Sequence, residues 1–336
     1  MSQTEKKIRV AFLGVGWIGR NRMESLLKTE IVDPVIIADV NDENAKAAAK
    51  LAPGAKIVKS LDEIDNENID GVVIATPSGL HYSHVMEALD KNLHVFCQKP
   101  LARNKQETYA LVTKAKELNR VLWVDMSYRY TQSMQIIKHL INKEKIGKLY
   151  AVDTMFHNAY SPEKSWSYDT EQSGGGCVID LGIHLIDLVL WTMDFPDVEQ
   201  VHSSLYSKGK RIYGRLSGIE DYACSTMNLV NGVVVNMACS WNVSAGSDAV
   251  IGFTIYGTEG TLSMKNQNGS FYDFDIHHYK SKNSECLCQE NGAWGGKAVV
   301  DWAEQVAYSG QYNRNAEQFV RVGEVIDSIY NQQSFK

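Results

Sequence analysis

The sequence predicts two domains: an α/β domain with a doubly wound parallel sheet, then an α+β domain built on a large, mainly antiparallel sheet. Three observations lead there. Short strands, apolar on both faces, alternate with helical stretches through the first third of the chain, the pattern of a parallel sheet covered by helices. A glycine run, Gly14-Val15-Gly16-Trp17-Ile18-Gly19, joins the first strand to the first helix. After about residue 127 helices become scarce and alternating strands take over. With 336 residues, 44% hydrophobic and 22% charged, the chain is long enough for both domains and globular in composition. The expected boundaries are 1–126 and 127–312, with a C-terminal helix at 313–336 packing back on the first domain.

The first strand is the apolar run Ile8-Arg9-Val10-Ala11-Phe12-Leu13, and helical periodicity follows over 17–27. Strands are expected at 35–38, near 57–58, and at 71–75, 94–97 and 121–124. Helices are expected at 43–51, 80–91 and 105–119. In the second part, a helix at 132–142 precedes an alternating strand at 149–156 and a long helix at 178–192. Asn231-Gly232 stands between two alternating runs, a strong hairpin signal. Strands at 251–256 and 261–264 form another pair, and an amphipathic helix closes the chain at 314–330. A large sheet with one apolar face often has its open face covered by another subunit, so a homodimer or homotetramer is expected.

Bulk properties exclude several classes. Net charge is −6 with no Lys/Arg cluster, which argues against a nucleic-acid face. No signal-peptide core and no apolar run of membrane-spanning length are read in the sequence, so the expected location is cytoplasmic, with no membrane partner. Six cysteines in a chain this long are no disulfide framework. Cys97, Cys177, Cys224 and Cys239 sit in apolar runs and read as core. Cys286-Leu287-Cys288 lies in a polar, loop-like stretch without a second ligand pair, so no metal site is expected there.

The chemistry is read from strand ends, because open parallel sheets bind ligands at the carboxyl ends of their strands. Strand, glycines, then helix is the arrangement that brings backbone N–H groups to a pyrophosphate. Asp39 ends the second strand, 20 residues after Gly19, the spacing of a carboxylate that binds the ribose hydroxyls of NAD. Thr76, Lys99 and Arg129 follow later strands of the same sheet. A lysine at position 99 can hydrogen-bond a substrate hydroxyl and stabilise the developing alkoxide. Asp180, His184 and Asp187 fall at i, i+4 and i+7, on one face of a helix otherwise apolar. A buried face with Asp and His is costly unless the groups are paired or used. A histidine oriented by a carboxylate can remove a hydroxyl proton, although such a pair is also a common structural one.

Together, Gly14-x-Gly16-x-x-Gly19, Thr76-Pro77 with His81, Gln98-Lys99-Pro100 and Gly175-Gly176-x-x-x-Asp180-x-x-x-His184 resemble the glucose–fructose oxidoreductase, inositol dehydrogenase and MocA (Gfo/Idh/MocA) family. The resemblance covers nearly the whole chain. It implies an N-terminal Rossmann domain, a C-terminal sheet that builds dimers or tetramers, and NAD(P)-dependent redox chemistry on sugars, cyclitols or their derivatives. It matches Lys99, Asp180 and His184 to a catalytic trio. Expected cofactor contacts are Gly14, Gly16, Trp17, Ile18, Gly19, Asp39, Thr76, Pro77, His81, Gln98, Lys99 and Arg129. Expected substrate contacts are Lys99, Asp180 and His184 with His157, Tyr160 and Trp166; Tyr168 is a further aromatic candidate. The chain departs from the family at Gln98, where Glu is usual, which removes an anion beside Lys99. Asp39 disfavours the 2′-phosphate of NADP, so NAD is the expected cofactor. Two other readings remain: a tightly held cofactor shuttling hydride between two sugars or serving a redox-neutral step, and a non-catalytic nucleotide or sugar sensor.

Overall fold

Four of the five connections among the first six strands run through α-helices, and the six strands form a single sheet. The computed structural model describes residues 7–63, 68–291 and 295–331. The first unit contains β1 (Ile8–Leu13), α1 (Trp17–Leu27), β2 (Val32–Ala38), α2 (Asp42–Ala49), β3 (Lys56–Val58), β4 (Gly71–Ile74), α3 (Ser78–Asp90), β5 (His94–Cys97), α4 (Lys105–Glu117) and β6 (Leu122–Val124). All pair in parallel, in the order β3-β2-β1-β4-β5-β6. The chain runs outward from β1 to β3 and then from β4 to β6, so the order reverses between β1 and β4, where such sheets bind ligands. Strand residues Val10, Phe12, Val72, Ile74, Val95 and Phe96 are all buried, as double coverage requires. Asn41 and Asn104 cap α2 and α4, each side chain accepting first-turn amides.

The second unit holds α5 (Gln132–Asn142), β7 (Leu149–Asn158), the short α6 (Thr170–Ser173), α7 (Ile183–Thr192), β8 (Val198–Ser207), β9 (Lys210–Ile212), β10 (Tyr222–Leu229), β11 (Val234–Ser240), β12 (Ala249–Gly257), β13 (Gly260–Asn266), β14 (Asp273–Lys280) and β15 (Asn283–Asn291). Its nine strands run β15-β14-β13-β12-β7-β11-β10-β8-β9. Every pairing is antiparallel except β7 with β11. α5 and α7 pack against one face. That face takes Val152, Thr154 and Phe156 of β7, all buried, while Ala151, Asp153, Met155 and His157 alternate to the other.

Val178–Gly182 between α6 and α7 is a π-helical turn, so Asp180 does not sit in the regular i, i+4 geometry the sequence suggested. The helical run Thr170–Thr192 is long and apolar enough to cross a membrane by length and composition, contrary to the expectation that no such run exists. Its most apolar window is 94% buried inside the protein, so it is a core helix. Cys286 and Cys288 lie in strand β15 rather than a loop, paired with His277 and Ile276. Among the described residues no group of three or more His, Cys, Asp and Glu side chains is placed to hold a metal.

Two helices follow the second sheet, α8 (Lys297–Tyr308) and α9 (Glu317–Tyr330). α8 was not read from the sequence. It packs on α1, β1, β5 and β6, with the fully buried Trp302 6.1 Å from the Phe96 ring. The compact units are therefore residues 1–127 with 295–320, and residues 128–294 with 321–336. They differ from the expected 1–126, 127–312 and 313–336 because α8 joins the parallel sheet and the division falls within α9.

Candidate active site

The glycine loop is built from close backbone approaches. Gly14 has φ +80°, and a Cβ there would lie 2.7 Å from the Ala75 carbonyl carbon and 2.8 Å from Thr76 N. The ends of β1 and β4 therefore meet backbone to backbone. A Cβ on Gly19 would lie 2.0 Å from the Gly14 oxygen, so only glycine lets α1 come this close to the loop. Over Gly16 the space is open, with nothing within 4 Å of a Cβ. α1 begins with no side-chain cap and no acidic residue in its first turn. Its first N–H groups have no intrahelical acceptor, so this donor set fits a pyrophosphate.

Asp39, at the end of β2, braces the same loop. Its Oδ2 accepts from Val15 N at 2.8 Å and its Oδ1 from Asn41 N at 2.8 Å. Each oxygen keeps lone-pair capacity for a ribose hydroxyl. Lys59 Nζ lies 3.3 Å from the Val40 carbonyl, a cation beside this loop that sequence reading missed because it comes from beyond β3. It is ion-paired with Asp42.

At the neighbouring strand ends, Thr76 Oγ1 bonds His84 Nδ1 at 3.0 Å. His81 is buried, with Nδ1 2.6 Å from the Pro100 carbonyl and Nε2 2.8 Å from the Thr76 carbonyl. Its ring thus ties the Thr76-Pro77 turn to the Lys99-Pro100 turn, and burial pulls its pKa down. Lys99 is half-buried at the end of β5. Gln98 turns inward and donates its amide to Asp125 Oδ2. The same oxygen accepts from Arg22 Nε at 2.5 Å, both side chains being essentially inaccessible. Gln98 and Arg22 thus share the carboxylate of Asp125, one residue past β6.

The second unit brings Asp180 and His184 into an aromatic setting. The His184 ring, 7% exposed, lies edge-on to Tyr128 at 4.9 Å and 71°, and 6.4 Å from Phe156. Trp241, just past β11, donates its indole N–H to Asp180 Oδ2 at 3.1 Å. Burial pushes the Tyr128 hydroxyl pKa up, with Tyr272 and Asp180 adding to the effect. Tyr128, Phe156 and Trp241 were not singled out from the sequence. Tyr168 packs on Trp241 at 6.1 Å, and Tyr160 reaches Phe156 through Phe271. The Trp166 ring lies 5.8 Å from Lys164 Nζ.

Two further candidates have protein partners of their own. His157 stacks on Tyr222 and bonds Ser240 Oγ at 2.7 Å. It occupies the face of β7 opposite Phe156, because neighbouring strand residues point to opposite sides. It is therefore turned away from His184. Arg129 grips Asp187 with Nε at 2.7 Å and Nη2 at 2.5 Å. This pair explains Asp187, whose buried carboxyl is pushed up by burial and pulled back by Arg129.

The comparisons with known proteins agree with this architecture. Residues 8–126 match an oxidoreductase family with an NAD-binding Rossmann fold, and residues 134–263 match the GFO/IDH/MocA C-terminal domain. Glucose-6-phosphate 3-dehydrogenase of Bacillus subtilis is 29% identical over 238 residues, 69% of this chain and 67% of that protein. An NADP(+) scyllo-inositol 2-dehydrogenase of Bacillus subtilis is 31% identical over 193 residues, 56% of this chain and 52% of that protein. Levoglucosan dehydrogenase, solved with NADH and levoglucosan, has the same fold, with a TM-score of 0.80 at 20% identity over 96% of both chains. With both halves matched in order along one chain, this protein belongs to the GFO/IDH/MocA family of NAD(P)-binding oxidoreductases.

Proposed function

We propose that the chain is an NAD-dependent dehydrogenase transferring hydride between a secondary alcohol of a sugar, cyclitol or sugar derivative and the nicotinamide. The observation that carries this reading is His184, buried edge-on to Tyr128 near the acid Asp180, which Trp241 holds. An imidazole fixed in such a setting is a suitable base for a hydroxyl proton. In this reading a His184 ring nitrogen takes the proton and Asp180 orients the ring. Lys99 donates from Nζ to the substrate oxygen and stabilises its negative charge. Tyr160, Trp166 and Tyr168 supply faces for a sugar ring. His157 is left out because of the face it occupies. When bound, the dinucleotide supplies the hydride acceptor. Gly14, Gly16, Trp17, Ile18 and Gly19 hold its phosphates, and Thr76, Pro77, Gln98 and Lys99 line the strand ends beside it.

Asp39 supports NAD over NADP, since a second anion at the ribose 2′ position would face its carboxylate. Lys59, the nearby cation, is already paired with Asp42. The named relatives act on ring alcohols or their phosphates, in keeping with this substrate class. We further expect a cytoplasmic homodimer or homotetramer formed through the open face of the nine-stranded sheet, to be checked by light scattering. The functional test is an NADH-formation screen at alkaline pH over hexoses, glycosides, sugar phosphates and inositols. His184→Ala should lower kcat by about 10²–10⁴-fold with the fold intact; near-normal turnover by a folded variant defeats the assignment.

A further inference from the structure

The entry into the helix that carries Asp180 and His184 is gripped by a residue from far along the chain. Glu220 Oε1 accepts from Gly176 N at 2.9 Å and from Val178 N at 3.0 Å. The Glu220 carbonyl accepts from the intervening Cys177 N at 3.0 Å. Three successive amides thus rest on one residue. Tyr330, the last residue of α9, donates its hydroxyl to the same Oε1 at 2.7 Å. The fit is tight: a Cβ on Gly175 would lie 2.1 Å from the Tyr330 oxygen, and one on Gly176 2.0 Å from the Glu220 carbonyl oxygen. This accounts for the glycines ahead of Asp180.

Glu220 is wholly buried, and its Oε2 has no hydrogen-bond partner among the described residues. Holding a carboxylate there is costly unless its bonds are made. Tyr330 is itself fixed, with the Arg215 guanidinium 4.4 Å from its ring centroid and Arg215 bonded to Asp327 at 2.9 Å. The next residue reaches Asp180 from another side. The Asp221 carbonyl accepts Trp241 N at 2.7 Å, and Trp241 bonds the Asp180 carboxylate. The Asp180 amide in turn bonds the Gly176 carbonyl at 3.1 Å.

We propose that Glu220 and Tyr330 are positioning residues, through which the end of the C-terminal helix sets the entry of the helix bearing Asp180 and His184 and so the aim of both side chains. The inference rests on the catalytic reading of those two residues. Neither Glu220 nor Tyr330 touches substrate in it.

The test uses two conservative variants of the full chain, Tyr330→Phe, which removes one oxygen, and Glu220→Asp, which draws the carboxylate back by one methylene. Turnover is measured on whichever of glucose, glucose 6-phosphate or scyllo-inositol the wild type oxidises. NADH affinity is measured by fluorescence titration, and amide exchange over 174–185 by mass spectrometry. Each variant should lower kcat about tenfold, as small misplacements of catalytic groups do. Exchange over 174–185 should quicken while NADH affinity stays within about twofold, a split that simple loss of stability does not produce. Unchanged kcat and exchange in both variants, with His184→Ala inactive, overturns the inference and leaves the function standing. If His184→Ala keeps its turnover, the function fails, and exchange over 174–185 alone decides whether Glu220 and Tyr330 hold the helix entry.

Discussion

Gln98→Glu should destabilise the parallel-sheet half of this protein, although it restores the residue usual in the family. The Gln98 amide donates to Asp125 Oδ2, and Arg22 donates to the same oxygen. Side-chain exposure is 1% for Arg22 and 0% for Asp125, so water does not screen the cluster. A carboxylate at 98 replaces a donor with an acceptor facing an acceptor. Two like charges about 4 Å apart repel by roughly 4 kcal/mol at the effective dielectric of a protein site. Losing the charge-assisted hydrogen bond costs roughly 1.5–3 kcal/mol more, and the attraction of Arg22 for the new charge offsets part of the sum. A net loss of about 3–5 kcal/mol follows, or a fall in Tm on the order of 10 °C for a unit of this size. One of the two acids can take up a proton to relieve the repulsion, so the loss should be greatest above neutral pH and shrink on acidification. Asp125→Asn alone removes the carboxylate that Arg22 Nε bonds inside the buried cluster and should cost a similar amount. The double variant Gln98→Glu/Asp125→Asn exchanges acid and amide and should recover most of the loss. The assay is thermal unfolding of the four proteins by circular dichroism at pH 6 and pH 8. A Gln98→Glu protein with wild-type Tm, or a double variant no better than the worse single one, refutes the argument.

Three further outcomes follow from the same geometry. Gly19→Ala places a Cβ 2.0 Å from the Gly14 oxygen, so α1 must move off the loop; NADH affinity by fluorescence titration should fall about 100-fold, and unchanged affinity would count against the loop as the phosphate site. Asp39→Ala removes the acceptor of Val15 N and Asn41 N, so NAD affinity should drop about 10–100-fold and the NADP-to-NAD activity ratio should rise; a fixed ratio argues against Asp39 as the selector. His94 is held by burial at a pKa of about 4 and accepts Val121 N at 3.0 Å. Its folded pKa lies below its unfolded value near 6.5, so the neutral ring's contribution is complete above about pH 6.5 and is lost as pH falls toward 4, roughly 3 kcal/mol in all. His94→Asn should therefore flatten the decline of Tm between pH 7 and 4.5, and parallel curves for the two proteins would show that His94 is not responsible.

The local patterns carried most of the element reading. β1, α1, β5 and α5 begin and end at or near the residues their periodicity indicated, because each has an uninterrupted apolar pattern and a breaker at its edge. α8 escaped notice because its neighbourhood gave no strand–helix grammar. The stretch around Cys286–Cys288 has a polar, loop-like composition, yet it is a strand because pairing with β14 supplies the regularity its side chains do not signal. The π-helical turn at Val178–Gly182 has no signature in spacing, so the shared face inferred for Asp180, His184 and Asp187 rested on regular helix geometry that the chain does not keep there.

By itself the sequence singled out the glycine loop, Asp39, Lys99, Asp180 and His184 as candidates, since these depend on residue type and short spacing near strand ends and a helix start. Only the tertiary structure decided which of them are held and by what. Asp180 meets Trp241 across 61 residues, Arg22 meets Asp125 across 103, and Glu220 meets Tyr330 across 110. It also turned His157 to the far face of the sheet and committed Arg129 to Asp187. The physical reason is that a buried charge needs a partner wherever the fold brings one, and sheet register and helix packing, rather than nearness in sequence, determine which residue that is.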